Sequence, residues 1–388
     1  MAARIDPDQT SDLSDDENGR HYGGGPNWPS EDPDIARWTD KYFTRTRQAV
    51  EKFGEVSVTY AVFMRRPVVS APRIALDWLK LVGRQRNTKI DIDLRYAEGE
   101  WVGAGEPIMY VSGKLTQLVE LETLLLQKLG PACVAAYNAY TMCLDLPKVS
   151  FLAMDARHCA ASVGSDRAKK EVEAVGFIGN ATDATAHYFG LEGGLGTMPH
   201  AFIGYAGNTV RAAEMYDEAF PDTPMTVLVD YFGREISDSL AVCERFPERA
   251  ASGSLSVRLD TPGSRYVEGL DPTVSYAVLE RNVPDVVRGY RSAEELGYLV
   301  GAGVSAAAIW RMREALNENG FPKVNIVASS GFGPDKCHIF AKARAPVDVI
   351  GTGSYLPTTW SETYATADIV EYDGTARVKV GREFLLRK

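Results

Sequence analysis

The sequence predicts an α/β protein in which a small α+β domain precedes a parallel α/β barrel. Two observations carry this expectation. Over residues 149–355 short β-rich runs alternate with amphipathic helical runs, the rhythm of parallel strands joined by helices, and there are enough such units to close a barrel. Over residues 35–148 the order differs: a helical run, then alternating strands linked by Gly-containing turns, then a long apolar helix. The chain of 388 residues has room for both, since domains typically run to roughly 100–200 residues.

Taken in order, residues 1–34 are rich in Asp, Gly, Pro and Ser and bury too little apolar surface to offset ordering entropy, so they read as a disordered tail. WTDKYFTRTRQAVEKFG has helical apolar spacing, with Gly54 as its stop. SVTYAVFMR and KIDIDLRYAEGEWVGAGEPIMYVSGK alternate like strands, with GEWVGAGEP as a hairpin. LTQLVELETLLLQKLGPACVAAYNAYTMCLDL reads as a buried helical connector broken at Gly130–Pro131. The barrel units follow from VSFLAMDAR to VDVIGTG, and residues 261–303 interrupt them as an insertion with one helix near 292–301. Residues 356–388 are expected to complete the first domain.

Composition narrows the function. The chain has 45% hydrophobic and 24% charged residues and no apolar run near the ~18 residues of a membrane span, which reads as a soluble globular protein with no membrane role. Forty-two basic against 52 acidic residues give a net charge of −10, which repels polyanions and argues against nucleic acid. Small phosphorylated substrates stay compatible, because a few Arg side chains and backbone N–H groups make a local positive site. The five cysteines are scattered without a CxxC pair and read as reduced buried thiols. MAARIDPDQTSDLSDDENGR lacks the basic-then-apolar order of a secretory signal, so a cytoplasmic location is expected.

In a parallel barrel the loops after the strands build the active site. Those loops hold Arg157 and His158, Asn180 to Thr182, Gly196 to His200, Asp230, Arg258 with Asp260, Ser329 to Gly331, and Gly351 to Ser354. ASSGFG and IGTGS end the last two strands, where small residues let backbone N–H groups approach a phosphate. Arg258 and Asp260, two apart on a strand, leave it on one face. They would suit an anion beside sugar hydroxyls or a metal, or simply pair with each other. His200 follows Gly194, Gly196 and Pro199, which predicts a rigid, irregular loop. It is either a satisfied core histidine or a nucleophilic imidazole.

With these residues on the page, the chain resembles the nicotinate phosphoribosyltransferases, of the type II phosphoribosyltransferase group. TDKY at 39–42, the GEP turn at 105–107, LETLLL at 121–126, GTMPH at 196–200, TVLVD at 226–230, VRLD at 257–260 and DVIGTG at 348–353 stand in that family's order. The resemblance implies an irregular parallel α/β barrel of the type II phosphoribosyltransferase kind plus an N-terminal α+β sandwich domain. It implies transfer of the 5-phosphoribosyl group from phosphoribosyl pyrophosphate (PRPP) to nicotinate, giving nicotinate mononucleotide for NAD biosynthesis. Mg2+ would shield the pyrophosphate, ATP would be a co-substrate, and no organic cofactor would be tightly bound. His200 would be phosphorylated transiently. Tyr42 would stack on nicotinate across the interface of a homodimer or higher oligomer with shared active sites. Arg157, Thr197 and Arg258 would contact substrate, Arg258 at the nicotinate carboxylate or the phosphates. Asp260 would meet the ribose hydroxyls, and Asp230 would orient the phosphohistidine or a magnesium. Ser330, Gly331, Gly351, Thr352 and Gly353 would cradle the 5′-phosphate.

The sequence departs from the family at MDARH, where Met154 replaces a ring-stacking Phe and His158 a second Arg, and at TPG, where SGD is usual. A nicotinamide- or quinolinate-using enzyme, or a non-catalytic paralogue binding pyridine nucleotides, remains an alternative. Nicotinamide enzymes carry an Asp after the second barrel strand, where Ala181 stands here, with Asp183 two residues on.

Overall fold

The structure is a computed structural model that describes residues 35–158, 176–196, 198–359 and 364–387. The tail expected over residues 1–34, Cys159 and Thr197 lie outside the described residues. The first helix, Lys41–Phe53, ends where Gly54 takes φ 127°, a left-handed conformation that favours glycine. Strands β1 (Ser57–Met64), β3 (Asp91–Leu94) and β5 (Pro107–Lys114) follow, with β2 (Val68–Val69) and β4 (Trp101–Val102) forming a separate pair. β1 and β5 run antiparallel, as do β3 and β5.

The apolar alternation of β1 serves two cores. One face packs with the helices Arg73–Gln85 and Glu122–Cys143; the other, through Ala61 and Phe63, meets Tyr110, Val370 and Leu385. Val370 belongs to β12 (Ala365–Tyr372), which pairs antiparallel with β1 and carries β13 (Thr375–Ala376) on its far side. The C-terminal strand therefore closes the N-terminal sheet.

The connector is not broken at Gly130–Pro131. Helix Glu122–Cys143 runs through Pro131 without interruption. An interior proline costs about 3 kcal/mol of helix stability, but Leu129 through Ala136 are all essentially buried, and packing outweighs the lost backbone bond. Residues up to Ala136 join the N-terminal core, and Ala139, Met142 and Cys143 join the barrel core. Buried Asn138 donates to the carbonyls of Leu356 at 2.9 Å and Thr358 at 2.8 Å, tying the helix to the chain that leaves the barrel.

Six parallel strands form the second sheet: β6 (Ser150–Ala153), β7 (Phe177–Asn180), β8 (Met225–Leu228), β9 (Leu255–Leu259), β10 (Asn325–Ala328) and β11 (Val349–Thr352). Their order is β7-β6-β11-β10-β9-β8. Among the described residues no ladder joins the outer strands β7 and β8; the chain between them instead sends Met198 and Ile203 into the core. The barrel is thus irregular.

Two local expectations are corrected. The insertion 261–303 holds three helices, Pro272–Asn282, Pro284–Val287 and Ala293–Val300, rather than one. Asp271 caps the first by accepting from the Val274 N–H at 2.8 Å, and Pro272 starts it, an N-terminal signature that outweighs the weak helix propensity of TVSY. His200 is not on an irregular loop: it opens helix His200–Ala206, which follows extended Pro199 and ends at Gly207, φ 71°. Seven residues are too few to announce themselves by periodicity.

Candidate active site

All six barrel strands point their C-terminal ends the same way, and each carries part of one ring of side chains. After β8, both oxygens of Asp230 lie against Nε2 of His200, at 3.2 and 3.1 Å. Asp230 is 5% exposed and the His200 side chain 48%, so a buried carboxylate holds an imidazole whose other edge faces solvent. The loop ahead of His200 is seated by close packing. A Cβ on Gly194 would sit 2.6 Å from the Thr182 nitrogen, so only glycine fits there. The Gly194 N–H donates to Asp183 at 2.8 Å. Asp183 is thereby engaged with the turn that leads to His200.

Behind Asp230, the carbonyl of that residue accepts from Arg265 at 2.7 Å, and Arg265 also pairs with Glu235 at 2.6 Å. Glu235 is fully buried and is further satisfied by the Thr261 hydroxyl and the Glu268 N–H, as a buried charge must be. Thr261, Arg265 and Glu268 come from the insertion, which therefore braces the Asp230 turn.

The end of β9 meets the end of β10. Arg258 donates to Asp260 at 3.2 Å and to the Ser329 hydroxyl at 3.0 Å, and that hydroxyl donates to Asp260 at 2.8 Å. The group sits at the mouth with the Arg258 side chain mostly covered. Next in the chain, Ser330 and Gly331 take φ 79° and 66°. The Ser330 carbonyl accepts from the ammonium of Lys336 at 2.8 Å, which burial pushes down to about 8. Thr352, at the end of β11, donates its hydroxyl to the Phe332 carbonyl at 3.2 Å.

β11 in turn abuts β6. A Cβ on Gly351 would lie 2.8 Å from the Met154 methyl, and one on Gly353 would lie 2.6 Å from the Met154 carbonyl and 3.2 Å from His158. The glycines of IGTG thus admit Met154, and MDARH closes over that loop. Among the described residues no group of three or more His, Cys, Asp or Glu is arranged to hold a metal, and no helix is long and apolar enough to cross a membrane. The free cysteines Cys133, Cys143, Cys243 and Cys337 are buried, and burial raises their thiols.

The structure thus gathers His200, Asp230, Arg258, Asp260, Ser330, Gly331, Gly351, Thr352, Gly353 and Met154 on one rim. Arg157 is exposed in the turn after β6. Tyr42 stands elsewhere: 59% exposed, it lines a cavity of about 540 Å³ on the N-terminal domain with Tyr60, Glu122, Asp368 and Tyr372. Sequence reasoning missed Arg265 and Lys336. The only hint for Lys336 was its place just after a strand-end glycine loop.

Solved structures share the fold that carries these residues. No protein-family model and no curated protein sequence matches the chain. A nicotinate-nucleotide pyrophosphorylase from Pyrococcus furiosus superposes with a TM-score of 0.68 at 22% identity, covering 93% of this chain and 81% of its own. A human nicotinic acid phosphoribosyltransferase gives 0.56 at 17% identity, covering 87% and 75%. A nicotinate-nucleotide pyrophosphorylase from Francisella tularensis gives 0.50 at 14% identity, covering 88% and 98%. At these identities the likeness concerns the fold, and it is the type II phosphoribosyltransferase fold, an irregular α/β barrel with an N-terminal α+β domain.

Proposed function

We propose that the chain is an enzyme that transfers the 5-phosphoribosyl group of PRPP to nicotinate, releasing pyrophosphate, with ATP hydrolysis coupled through transient phosphorylation of His200. The observation that carries this reading is the convergence, on one rim, of an Asp-held histidine with an Arg–Asp–Ser cluster and two glycine loops.

The chemistry asks mainly for positioning and charge. As pyrophosphate leaves C1 of the ribose, positive charge grows on the ring, and the pyridine nitrogen of nicotinate attacks. On this reading Asp260 meets the ribose hydroxyls while it also holds Arg258. Arg258, with its guanidinium fork, suits the nicotinate carboxylate or a phosphate. The loops 329–331 and 351–353 suit the 5′-phosphate, and Met154 offers a polarizable face to the pyridine ring.

Mg2+ is bound in such reactions mostly by substrate phosphates with one or two protein carboxylates. The donor set fits that mode: Asp260 is the candidate carboxylate, and the ion would draw charge off the leaving pyrophosphate. In the ATP step the ring nitrogen of His200 not engaged by Asp230 attacks the γ-phosphorus as ADP departs. Asp230 then stabilises the charge left on the ring.

The test is a steady-state assay with nicotinate, nicotinamide and quinolinate, together with γ-labelled ATP. We expect nicotinate to be preferred by about 10²-fold or more in kcat/KM, and label to enter wild type but not His200→Ala. Preference for another pyridine, or equal labelling of the variant, would remove the respective half of the proposal.

A further inference from the structure

Lys336 is a buried cation for which the proposed reaction has no use. It lies in the first turn of helix Pro334–Lys342 and is 6% exposed, with its ammonium 4.2 Å from the Phe332 ring centroid and 5.8 Å from that of Phe340. The groups facing it are those rings, the Cys337 thiol and the Asp260 carboxylate, and the last two only partly offset desolvation. A lysine is seldom buried so fully. Its one hydrogen bond among the described residues is to the Ser330 carbonyl, at 2.8 Å.

We propose that Lys336 is a positioning residue that turns the Ser330–Gly331 peptide so that its N–H faces the anion site at the barrel mouth. A trans peptide is planar, with its carbonyl and its N–H pointing in opposite directions, and no peptide bond of the chain is cis. Drawing the Ser330 oxygen inward onto a buried ammonium therefore sends the Gly331 N–H outward. Gly331 is exposed, an added Cβ there would meet nothing within 4 Å, and its N–H has no partner among the described residues.

The next peptide but one is handled alike. The buried Thr352 hydroxyl holds the Phe332 carbonyl, which directs the Gly333 N–H away from it, at the cap of the helix Pro334–Lys342. Two inward-tied carbonyls thus leave two N–H groups for an anion, and helix starts favour anions. The arrangement holds Ser330 at φ 79°, a left-handed conformation that strains a non-glycine residue. The Lys336 bond offsets that strain.

The identity of the anion as the 5′-phosphate of PRPP rests on the proposed function; the orientation of the peptide does not. The experiment compares wild type, Lys336→Met and Lys336→Arg. In K336M we expect KM for PRPP to rise about tenfold, with KM for nicotinate and kcat changed by less than about threefold, and K336R to recover most of the loss. An unchanged KM for PRPP, or an equal fall in every parameter without rescue by Arg, overturns the inference.

A wild-type measurement covers the case in which K336M does not fold. In 15N-lysine-labelled protein, saturating inorganic phosphate should raise the Lys336 titration midpoint by about one pH unit, because an anion above the loop favours the ammonium. No change with phosphate bound overturns the inference. If the wild type lacks PRPP-dependent turnover, the proposed function fails while the phosphate titration still decides the role of Lys336.

Discussion

At the scale of the residue, the pair that matters most is His200 and Asp230. Both Asp230 oxygens approach Nε2, so in the neutral ring the tautomer that donates to the carboxylate leaves the lone pair on Nδ1. The phosphoryl acceptor on this reading is therefore set by a carboxylate that is itself locked by Arg265 at its carbonyl. Asp230→Asn retains the shape but cannot stabilise the positive ring, so labelling of His200 by ATP should slow by about 10²-fold while the protein stays folded. Equal labelling rates in wild type and D230N, followed by rapid quench, would show that Asp230 is only structural. Asp230 and Asp260 could be placed because each follows a short apolar run, where a strand end must lie, whereas His200 was singled out only by its glycine and proline framing and opens a helix instead. Arg265 could not be placed, since it sits in the insertion and its value comes from Glu235, 30 residues upstream in sequence and adjacent only after folding. Lys336 drew no expectation, because burial of a charge by Phe332 and Phe340 leaves no mark in the sequence.

At the scale of the element, helix Glu122–Cys143 carries both the clearest error and a measurable consequence. Its first residue, Glu122, is pushed up to about 7 from 4.5, first by burial and then by the charges of Asp368 and Asp40. A carboxyl whose folded value is raised costs nothing below pH 4.5, where both states hold the proton. Its cost grows as pH climbs toward 7 and is complete above it, reaching up to about 2–3 kcal/mol. Glu122→Gln should therefore raise the urea midpoint at pH 8 and leave it nearly unchanged at pH 4. An equal effect at both pH values would mean that packing, not charge, is responsible. The same helix shows why the fold was only partly legible. Strands announced themselves because β1 and the barrel strands are short apolar runs bounded by turns, and capped helices such as Ser305 with Ala306–Glu318 carry their start in one residue. Gly130–Pro131 is a local stop overruled by burial on every side, and no reading of local propensity contains that information. Conversely Asp271–Pro272 was a start signal present in the sequence and passed over.

At the scale of the whole molecule, what matters is whether the N-terminal sheet and the barrel share one site. The aromatic residue that the family resemblance assigns to pyridine stacking, Tyr42, stands on the N-terminal helix beside Glu122 and Tyr372 and is 59% exposed, while the rim of His200 and Arg258 belongs to the barrel. If Tyr42 serves catalysis as the family resemblance implies, a second copy would present it, the exposed ring on one chain closing the mouth of another, as isologous contacts in a two-fold dimer allow. Mixed dimers separate the two cases. On the proposed reading, Tyr42→Ala and Arg258→Met are each expected to abolish most activity alone. When the two are unfolded together and refolded in equal amounts, a trans arrangement restores about a quarter of the sites, because half of the dimers are mixed and each of those has one site with both residues intact. A cis arrangement restores none, since every barrel then lacks either its own Tyr42 or its own Arg258. Recovery to that level, with sedimentation showing dimers, would make the N-terminal domain a lid supplied by the neighbour; no recovery, with dimers present, would mean that no neighbour's Tyr42 completes the site.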